Sequence, residues 1–468
     1  MSKSSSHHPV KEKSDKIRHH SVVDNMPVIN NHAAGIDLAG ASSHYVAVEV
    51  DNTVVIREFG GVTDEVKELV NFLVNSKVTS VAMESTGVYW KIVYDLIEKA
   101  GITVYLVNPT HVKNVPGRRK DDKSDSCWIQ KLHKFGLLSA SFRPQLSDRA
   151  AHDLYRQRVR LVRMSSDEIR RMQKALDVMN IRIHKVVSDL SGLTGMKIIR
   201  AIINGERDPE NLVKLRDKLC AHSIEEFKAA LTGYYTPQNI LELKQALQRY
   251  DLCEEQIIEI DKEIEEILRS LIPLDDVFIN AEIANAPKPQ KHHRHEPNFD
   301  FMAYHRLLVG KNATVIPGIG IQSLMGLHCE LGRDFSKWET AKHFTSYLTL
   351  APVKKISGGK LLSSSTRAGI HPAGSIFKQA AAAVIRTDTA LSWYYKKLAV
   401  RIGKGKAQTA IARKLAIKYF NLMKYNEDYV EIGNEEYEKM YHQNQINRVK
   451  KMAKKYGLTV TETTPANP

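Results

Sequence analysis

Short apolar strands alternate with amphipathic helices between residues 33 and 145, and this alternation constrains the fold more than any other feature of the chain. The runs with the length and composition of buried strands are AAGIDLAG, HYVAVEV, TVVIREF, SVAMES and ITVYLVNP. VYWKIVYDLIEKAG has apolar residues at helical spacing and ends at Gly101, and KSDSCWIQKLHKFG has the pattern of a further helix. Strands and helices in alternation predict an α/β domain.

Three predicted strands, followed by helix, strand, helix, strand and helix, are in the order of a ribonuclease-H-like (RuvC-like) domain. Asp37 ends the first of these strands and Glu84 ends the fourth. Those two strands are neighbours in a sheet of this kind, so we expect the two carboxylates to converge. Asp122 and Asp125 are three residues apart, a spacing that puts both on one face of a helix.

We call these four residues the acidic set: Asp37, Glu84, Asp122 and Asp125. Four carboxylates in one place repel one another unless cations bind. Two Mg²⁺ ions, or Mn²⁺ in their place, would remove the repulsion and flank a phosphate group, where they stabilise the attacking and leaving oxygens. The alternative interpretation is structural, with surface acids at strand ends and acids that cap the N-terminus of a helix.

Residues 146–272 have a different pattern, because apolar residues recur there at steps of three and four, as in heptad repeats. The first seam consists of Ile169, Met172, Leu176, Met179, Ile183, Val186 and Leu190. The second seam consists of Cys253, Ile257, Ile260, Ile264, Ile267 and Leu271. We predict an α-helical coiled-coil region. Its seams either pack together as a helical hairpin within one chain or join a second subunit, and the sequence leaves both open.

Residues 273–300 are expected to be a linker or an insertion. Three histidines, His292, His293 and His295, lie there near Glu296. Flanking prolines and lysines do not preorganise ligands, so the composition favours a solvated basic loop over a metal site.

Residues 301–425 are expected to form a second compact domain, mainly α-helical. Its VIPGIG segment resembles a glycine turn between helices, in which the backbone N–H groups near Gly318 and Gly320 hold a phosphate. Such turns also simply join helices.

The segment APVKKISGGKLLSSSTRAG, which we expect to be a loop, places Ser357 before two glycines. A serine hydroxyl attacks phosphorus poorly unless it is activated and the phosphate charge is neutralised. The cations available for this are Lys354, Lys355, Lys360 and Arg367. The same short sequence is also typical of a plain turn.

Lys and Arg outnumber Asp and Glu by 68 to 53, and the formal net charge of +15 suits a polyanionic partner such as nucleic acid. We expect a disordered basic arm over residues 1–32, without the apolar core of a signal peptide, and a basic tail over residues 426–468. Four widely spaced cysteines favour a reducing cytoplasm. No apolar run approaches the ~18 residues of a membrane span, so no membrane association is expected.

Several segments together resemble one family, the DEDD-type transposases of the insertion-sequence 110 class. They are GIDLA, AMESTGVYW, NPTHVKNVPGRRKDDKSD, LTGMKIIRAIINGERDP, LKQALQRYDLCEEQI and IPGIG…LAPVKKISGGK. The resemblance covers about residues 33–425. It implies a RuvC-like N-terminal domain, a coiled-coil middle and a C-terminal transposase domain. By motif, the acidic set matches the family's four acids and Ser357 matches its catalytic serine.

The resemblance also implies a mechanism and partners. Such bacterial enzymes exchange strands of donor and target DNA through a covalent serine–DNA link, guided by an element-encoded RNA, as a tetramer of paired dimers at the nucleoid. The sequence departs from the family at Ile356, where a second serine is frequent, and at Ser126, where alanine is frequent. Only Lys378 supplies the usual basic residue in the helix after the serine. Two alternatives stay open: a RuvC-type nuclease acting by hydrolysis, with Ser357 structural, and a non-enzymatic regulator that binds guide RNA.

Overall fold

The structure, a computed structural model, describes residues 26–459 except residues 41, 86, 109–120, 285–293, 368, 370, 431 and 432. The chain divides into two compact units, Met1–Arg143 and Pro144–Pro468. The first corresponds closely to the region predicted to be α/β. The second contains both the predicted coiled-coil region and the predicted C-terminal domain. Most of the predicted N-terminal arm lies outside the described residues.

The first unit contains five strands and three helices in its described part. They are β1 (Ala33–Ala39), β2 (Ser43–Val50), β3 (Thr53–Gly60), α1 (Thr63–Asn75), β4 (Ser80–Glu84), α2 (Trp90–Lys99), β5 (Thr103–Val107) and α3 (Asp122–Lys134). The strand order across the sheet is β3-β2-β1-β4-β5. Strand β2 is antiparallel to β1 and β3, whereas β1, β4 and β5 are mutually parallel. This arrangement is consistent with the expected ribonuclease-H-like sheet.

Local sequence explains how these strands connect. Asp51 and Asn52 both adopt positive φ, 49° and 59°, so β2 and β3 are joined by a tight turn of the kind that suits the twist of a hairpin. Strands β1 and β4 are parallel and need a longer connection, which contains β2, β3 and α1.

Helices cover both faces of this sheet. Helices α1 and α2 bury Leu69 and Ile97 against one face, which includes Ile36 and Met83. Helix α3 covers the opposite face, where Ile129 packs with Ala82 and Val107. Because side chains alternate along a strand, residues two positions from Ala82 also face α3.

The second unit is helical apart from one hairpin in its described part. Its elements are α4 (Leu146–Val178), α5 (Leu193–Ile203), α6 (Pro209–Leu212), α7 (Ile224–Leu231), α8 (Pro237–Ser270), α9 (Asp276–Ala284), α10 (Phe301–Val309), α11 (Ile321–Leu331), α12 (Ala341–Tyr347), β6 (Pro352–Ser357), β7 (Lys360–Thr366), α13 (Pro372–Val384), α14 (Ala390–Ile402), α15 (Lys404–Tyr425) and α16 (Asn434–Lys455). Helix α15 is central to the C-terminal part, because its Ile411, Leu415 and Tyr419 are buried. Among the helices described, none combines the length and apolarity needed to cross a membrane.

The two long helices α4 and α8 run antiparallel against each other. Arg158 pairs with Asp261, and Ser165 Oγ donates to Glu254 further along. The buried positions of the second seam, including Ile257 and Ile264, lie on α8. The helices therefore form a helical hairpin within one chain, which is one of the two arrangements that the sequence left open.

The first seam does not continue as a helix along its predicted length. Helix α4 ends at Val178, and Asn180 adopts positive φ, 58°, which ends a helical run. Ile183 lies in a short 3₁₀ turn, and Val186 and Leu190 pack in a compact core with Phe227. Beyond the end of α4, the apolar residues of the first seam keep their spacing of three and four because they are buried in one core, not because they lie on one helix.

Candidate functional site

Asp37 and Glu84 lie beside each other near the carboxyl ends of two adjacent strands. Glu84 ends β4, whereas Asp37, which was predicted to end its strand, is followed by Leu38 and Ala39, because β1 continues to pair with β2 there. Strands β1 and β4 are parallel with Ile36 opposite Met83, so the next residue of each strand is one of the two acids. Glu84 is buried and Asp37 half-buried. Both side chains lie on the sheet face that α3 covers, since each is two positions beyond a residue that faces this helix. The structure thus brings this half of the acidic set together.

Helix α3 packs closely against the sheet at Gly35. A Cβ atom added there would lie 2.7 Å from Gln130 Cα, and closer still to the backbone atoms Gln130 N and Ser126 O. Only glycine permits this approach, because a protein interior has no room for an extra methyl group against backbone. Asp125 precedes Ser126 and is buried. Gly35 therefore sets how near the helix carrying Asp125 comes to the strand carrying Asp37.

The C-terminal half of α3 is held on the sheet by polar contacts. Lys134 Nζ lies 2.6 Å from Glu49 Oε2, and His133 Nε2 lies 2.9 Å from Ser80 Oγ. Gln130 Nε2 donates to the carbonyl oxygen of Ala33 at 3.3 Å. Burial lowers the pKa of His133 to about 4, so its ring is neutral at pH 7. These contacts fix the helix along its axis and thereby the position of its first turn.

The first turn of α3 separates a capping acid from the two predicted site acids. Asp121 is the N-cap: its side chain accepts from Ser124 N at 2.8 Å and from Ser124 Oγ at 2.7 Å. Asp122 and Asp125 follow it, exposed and buried respectively. Asp121 thus holds the N-cap position that the structural alternative gave to Asp122 or Asp125. Those two acids lie in the first turn, where a negative charge still favours the helix dipole.

Tyr45 is a neighbour of the acidic set that the sequence analysis did not single out. It lies directly opposite Asp37 in the pairing of β1 and β2. Burial raises the pKa of the Tyr45 phenol, the hydrogen bond to Glu58 adds to this, and the charge of Asp122 contributes in the same direction. Tyr45 thus lies opposite Asp37 and within electrostatic range of Asp122. The sequence could have indicated Tyr45 because side chains alternate between the two sheet faces along the predicted strand HYVAVEV.

The acidic set does not form a finished metal site. Within the described ranges, no group of three or more His, Cys, Asp or Glu side chains is arranged so that it could hold a metal ion. The donor chemistry nevertheless suits Mg²⁺ or Mn²⁺, which prefer carboxylate oxygen. Asp37 and Glu84, with Asp122 or Asp125, are the residues that would hold such an ion.

The predicted serine loop is a β-hairpin, and this corrects the sequence analysis. We call strands β6 and β7 with their turn the serine hairpin (residues 352–366). Gly358 and Gly359 have φ of 55° and 74°, and two consecutive positive φ values are what a two-residue hairpin turn requires. Ser357 is the last residue of β6, pairs with Lys360 and is exposed. The glycines therefore shape the turn as well as leaving space around the hydroxyl.

The predicted cations are divided between the faces of this hairpin. Lys355 lies two residues from Ser357, and Lys360 lies opposite it, so both share its face. Lys354 lies on the other face, and Arg367 follows β7. All four are exposed. The structure thus places two of the four cations on the side of the serine hydroxyl.

A buried carboxylate, Glu330, pairs with the exposed Arg156 near the base of the serine hairpin. Glu330 receives two hydrogen bonds from Arg156, at 3.1 and 2.9 Å. Tyr347 precedes the hairpin and His371 follows it, and their rings are in contact with centroids 4.4 Å apart. Burial lowers the pKa of His371 to about 4, with smaller opposing effects from the charges of Glu330 and Arg156. Sequence analysis missed this pair, since Arg156 and Glu330 lie on different helices far apart in the chain.

The two predicted phosphate-binding glycines have different surroundings. A Cβ at Gly318 would lie 2.5 Å from the carbonyl oxygen of Ala380 in α13, and the φ of Gly318 is 79°, so packing and backbone conformation both require glycine there. Gly320 is the N-cap of α11 and faces open space. Of the insertion histidines, His292 and His293 lie outside the described residues, and the His295 carbonyl accepts from Arg158 at 3.0 Å.

Comparison with known families gives two matches. A family model for IS110-type DEDD transposases, described as a transposase, matches residues 34–181. A second model, described as the transposase IS116/IS110/IS902 family, matches residues 311–396. The first range contains the acidic set and the second contains the serine hairpin. A search of curated proteins finds no match. The chain therefore has two regions, residues 34–181 and 311–396, that are similar to transposase domains of the IS110 type.

Proposed function

We propose that this transposase is an RNA-guided, site-specific DNA recombinase that cuts and rejoins DNA through a covalent Ser357–DNA intermediate. The family matches support a DNA-transposing enzyme. The observation that carries the finer proposal is the serine hairpin, which presents an exposed hydroxyl at a turn without side chains, with Lys355 and Lys360 on its face. Neither an exposed tip nor same-face cations are needed if Ser357 is only structural.

In the proposed reaction the Ser357 hydroxyl attacks the phosphorus of a DNA phosphodiester. The Oγ–P bond forms, one P–O bond of the DNA breaks, and the proton of the serine passes to the departing DNA oxygen through the surrounding groups. A hydroxyl of another strand then attacks the same phosphorus, restores a phosphodiester and returns the proton to Ser357. The phosphoserine ester keeps the bond energy, so no high-energy cofactor is consumed.

The acidic set would hold Mg²⁺, with two ions expected and Mn²⁺ as a substitute. Bound metal would neutralise phosphate charge and polarise the reacting oxygens. Among the protein's own groups, Asp37 and Glu84 provide a carboxylate pair on rigid strands. Asp125 is supplied by a helix that Gly35 allows to pack closely, and Tyr45 with Asp122 borders the same sheet face.

Partners follow from charge and from resemblance. The net charge of +15 supports binding to double-stranded DNA and to a guide RNA encoded by the same element. A dimer, and a tetramer on DNA, is proposed on the resemblance to the family. The heptad seams no longer add to that argument, because α4 and α8 pack together within one chain. We propose that the protein is bacterial and cytoplasmic and that it is associated with the nucleoid.

The test of the nucleophile is the protein–DNA adduct. Wild-type protein, reacted with the joined ends of its element and denatured, should yield a covalent adduct, and Ser357→Ala should bind nucleic acid normally but yield none. Ser364→Ala is the matched control, because it removes a hydroxyl from the opposite face of the same hairpin. An adduct that persists in Ser357→Ala would move the role to another hydroxyl. Free ends without any adduct would favour the hydrolytic nuclease.

The test of the acidic set uses two neighbouring aspartates. Asp125→Asn should reduce cleavage by a factor of about 100 or more, because a carboxylate ligand is lost. Asp121→Asn should leave cleavage near wild type, since asparagine caps a helix as well as aspartate does. Equal activity of the two variants would remove Asp125 from the acidic set.

A further inference from the structure

One side of the long helix α4 carries a line of exposed cations at steps of three, four and seven residues, which places them on one face of the helix. We call them the basic ridge: Arg156, Arg160, Arg163, Arg170 and Lys174. The residues of α4 that contact α8, Arg158 and Ser165 among them, lie on the other side of the helix. From its first cation to its last, the ridge is about 27 Å long, at about 1.5 Å per residue.

Most of the charge of the ridge is not neutralised within the chain. Arg160, Arg163 and Lys174 form no ion pair with any residue that the structure describes, whereas Arg156 and Arg170 each pair with one acid. Like charges three or four positions apart on a helix are destabilising, by about 0.2–0.5 kcal/mol per pair. A polyanion bound along this face would remove that repulsion.

The ridge begins near the base of the serine hairpin. Arg156 donates to Glu330, and its charge acts on Tyr347 and His371, which precede and follow the hairpin in the chain. All of these residues belong to the second compact unit. A nucleic acid bound along the ridge would therefore lie next to the element that carries Ser357.

Helix α8 carries the opposite charge on its outer side, and this limits the kind of partner. Its exposed acids there are Glu255, Glu259, Glu263 and Glu266. These acids and the basic ridge lie on the outer sides of two helices that pack together, so they point in opposite directions. A second copy of the chain could match acids to cations only head to tail, and such contacts give open chains of copies rather than closed pairs. Charge therefore favours a nucleic acid, confined to the α4 side.

We infer that the basic ridge binds the sugar–phosphate backbone of the hybrid duplex that the guide RNA forms with DNA, whatever its sequence. The inference rests on the proposed function, in which the DNA at the reaction site is paired with guide RNA. Base pairing already reads the sequence of such a hybrid, so the protein needs only contacts to its phosphates and its A-form shape. An A-form duplex has a wide, shallow minor groove against which a helix face can lie, whereas its major groove does not admit side chains.

The salt dependence of binding measures how many phosphates the ridge contacts. The double variant Arg160→Gln and Arg163→Gln is compared with Lys244→Gln and Lys262→Gln, a control that removes two exposed cations from α8. The full-length proteins are titrated with an RNA–DNA hybrid of about 20 base pairs. The ridge variant should bind roughly tenfold more weakly at physiological salt, and its slope of log affinity against log salt should fall by about 2. The control should keep the wild-type slope.

Duplex DNA of the same sequence is the second probe. The ridge variant should lose less affinity for it than for the hybrid, because the ridge is assigned to an A-form backbone. An unchanged salt slope with the hybrid, or an equal loss of affinity for both duplexes, would overturn the inference.

Photocrosslinking identifies what lies on the ridge in the working complex. Met164→p-benzoylphenylalanine places the crosslinker beside Arg163, and Leu252→p-benzoylphenylalanine is the matched control on α8, since Met164 is 53% exposed and Leu252 51%. Each variant is irradiated with guide RNA, with joined-end DNA or with both, and is then denatured. The expected Met164 product forms only when both nucleic acids are present. A product with either nucleic acid alone, a product with a second protein chain, or a yield no higher than with Leu252 would contradict the inference.

The basic ridge and the serine chemistry fail separately. Backbone binding needs no covalent bond, so the Met164 crosslink should persist in a Ser357→Ala background. The crosslink without any covalent adduct in the wild type would leave the ridge contact standing and remove the serine chemistry. An adduct in the wild type, together with an unchanged salt slope in the ridge variant, would do the reverse.

Discussion

Substitution of Gly35 by alanine tests whether the spacing between α3 and β1 controls the acidic set. The added Cβ would meet the backbone of Gln130 and Ser126, with Gln130 Cα at 2.7 Å, well inside ordinary contact. Backbone cannot rotate away, so α3 must retreat by roughly 1 Å. Overpacking of this size costs about 1–3 kcal/mol of folding free energy. A displacement near 1 Å at a reacting centre costs about 100-fold in rate.

The assay combines urea unfolding with cleavage of joined-end DNA, both at pH 7. Gly35→Ala should fold, lose stability by the amount above and lose cleavage out of proportion to that loss. Gly60→Ala is the control, because the atoms nearest to its added Cβ belong to the flexible carboxylate end of Glu65. It should be close to wild type in both measurements. Full cleavage activity in Gly35→Ala would show that the acidic set does not depend on close packing of α3.

Three further outcomes follow from buried groups and one close contact. Arg158→Met leaves the 1%-exposed Asp261 without its cation and should cost about 3–5 kcal/mol in urea unfolding, whereas replacing both residues with apolar ones should cost less. Burial lowers the pKa of His133 to about 4, so its contribution to folding stability is fully present above pH 6.5, where the ring is neutral in both the folded and the unfolded chain. The free energy of unfolding should fall as the pH drops from 6.5 towards 4, by up to about 1.4 kcal/mol per pH unit. His133→Gln should reduce that slope when unfolding is measured as a function of pH. Gly318→Ala should lower the melting temperature, because its Cβ would meet the carbonyl oxygen of Ala380 and its φ is 79°.

The α/β fold of the first unit was predictable because its signals are local. Apolar runs of strand length and an amphipathic helix such as Trp90–Lys99 each follow from a dozen residues or fewer. The order of those elements then indicated that β1 and β4 are neighbours. The proximity of Asp37 and Glu84 follows from their places near the ends of these strands. The closeness of α3 was not predictable, because a glycine within a strand does not reveal which backbone approaches it.

The serine hairpin was predicted to be a loop for an understandable reason. Both of its strands are exposed, so they lack the alternation of buried and exposed residues that marks a strand against a core. The sequence signal for a hairpin was the pair of consecutive glycines, and such pairs also occur in loops without strands. The packing partner of each heptad seam could not be predicted from the sequence either. A heptad pattern indicates which residues are buried, but not which helix they pack against.

The close packing of α3 also has a consequence for the order in which the active protein is made. A chain leaves the ribosome from its N-terminus, so β1 to β5 emerge before Asp122–Lys134 does. Asp37 and Glu84 can meet once β4 has paired with β1, but Asp122 and Asp125 arrive only with the last helix of the unit. A nascent or truncated chain that stops before α3 therefore has only two of the four carboxylates, and on the proposed mechanism it cannot cut DNA.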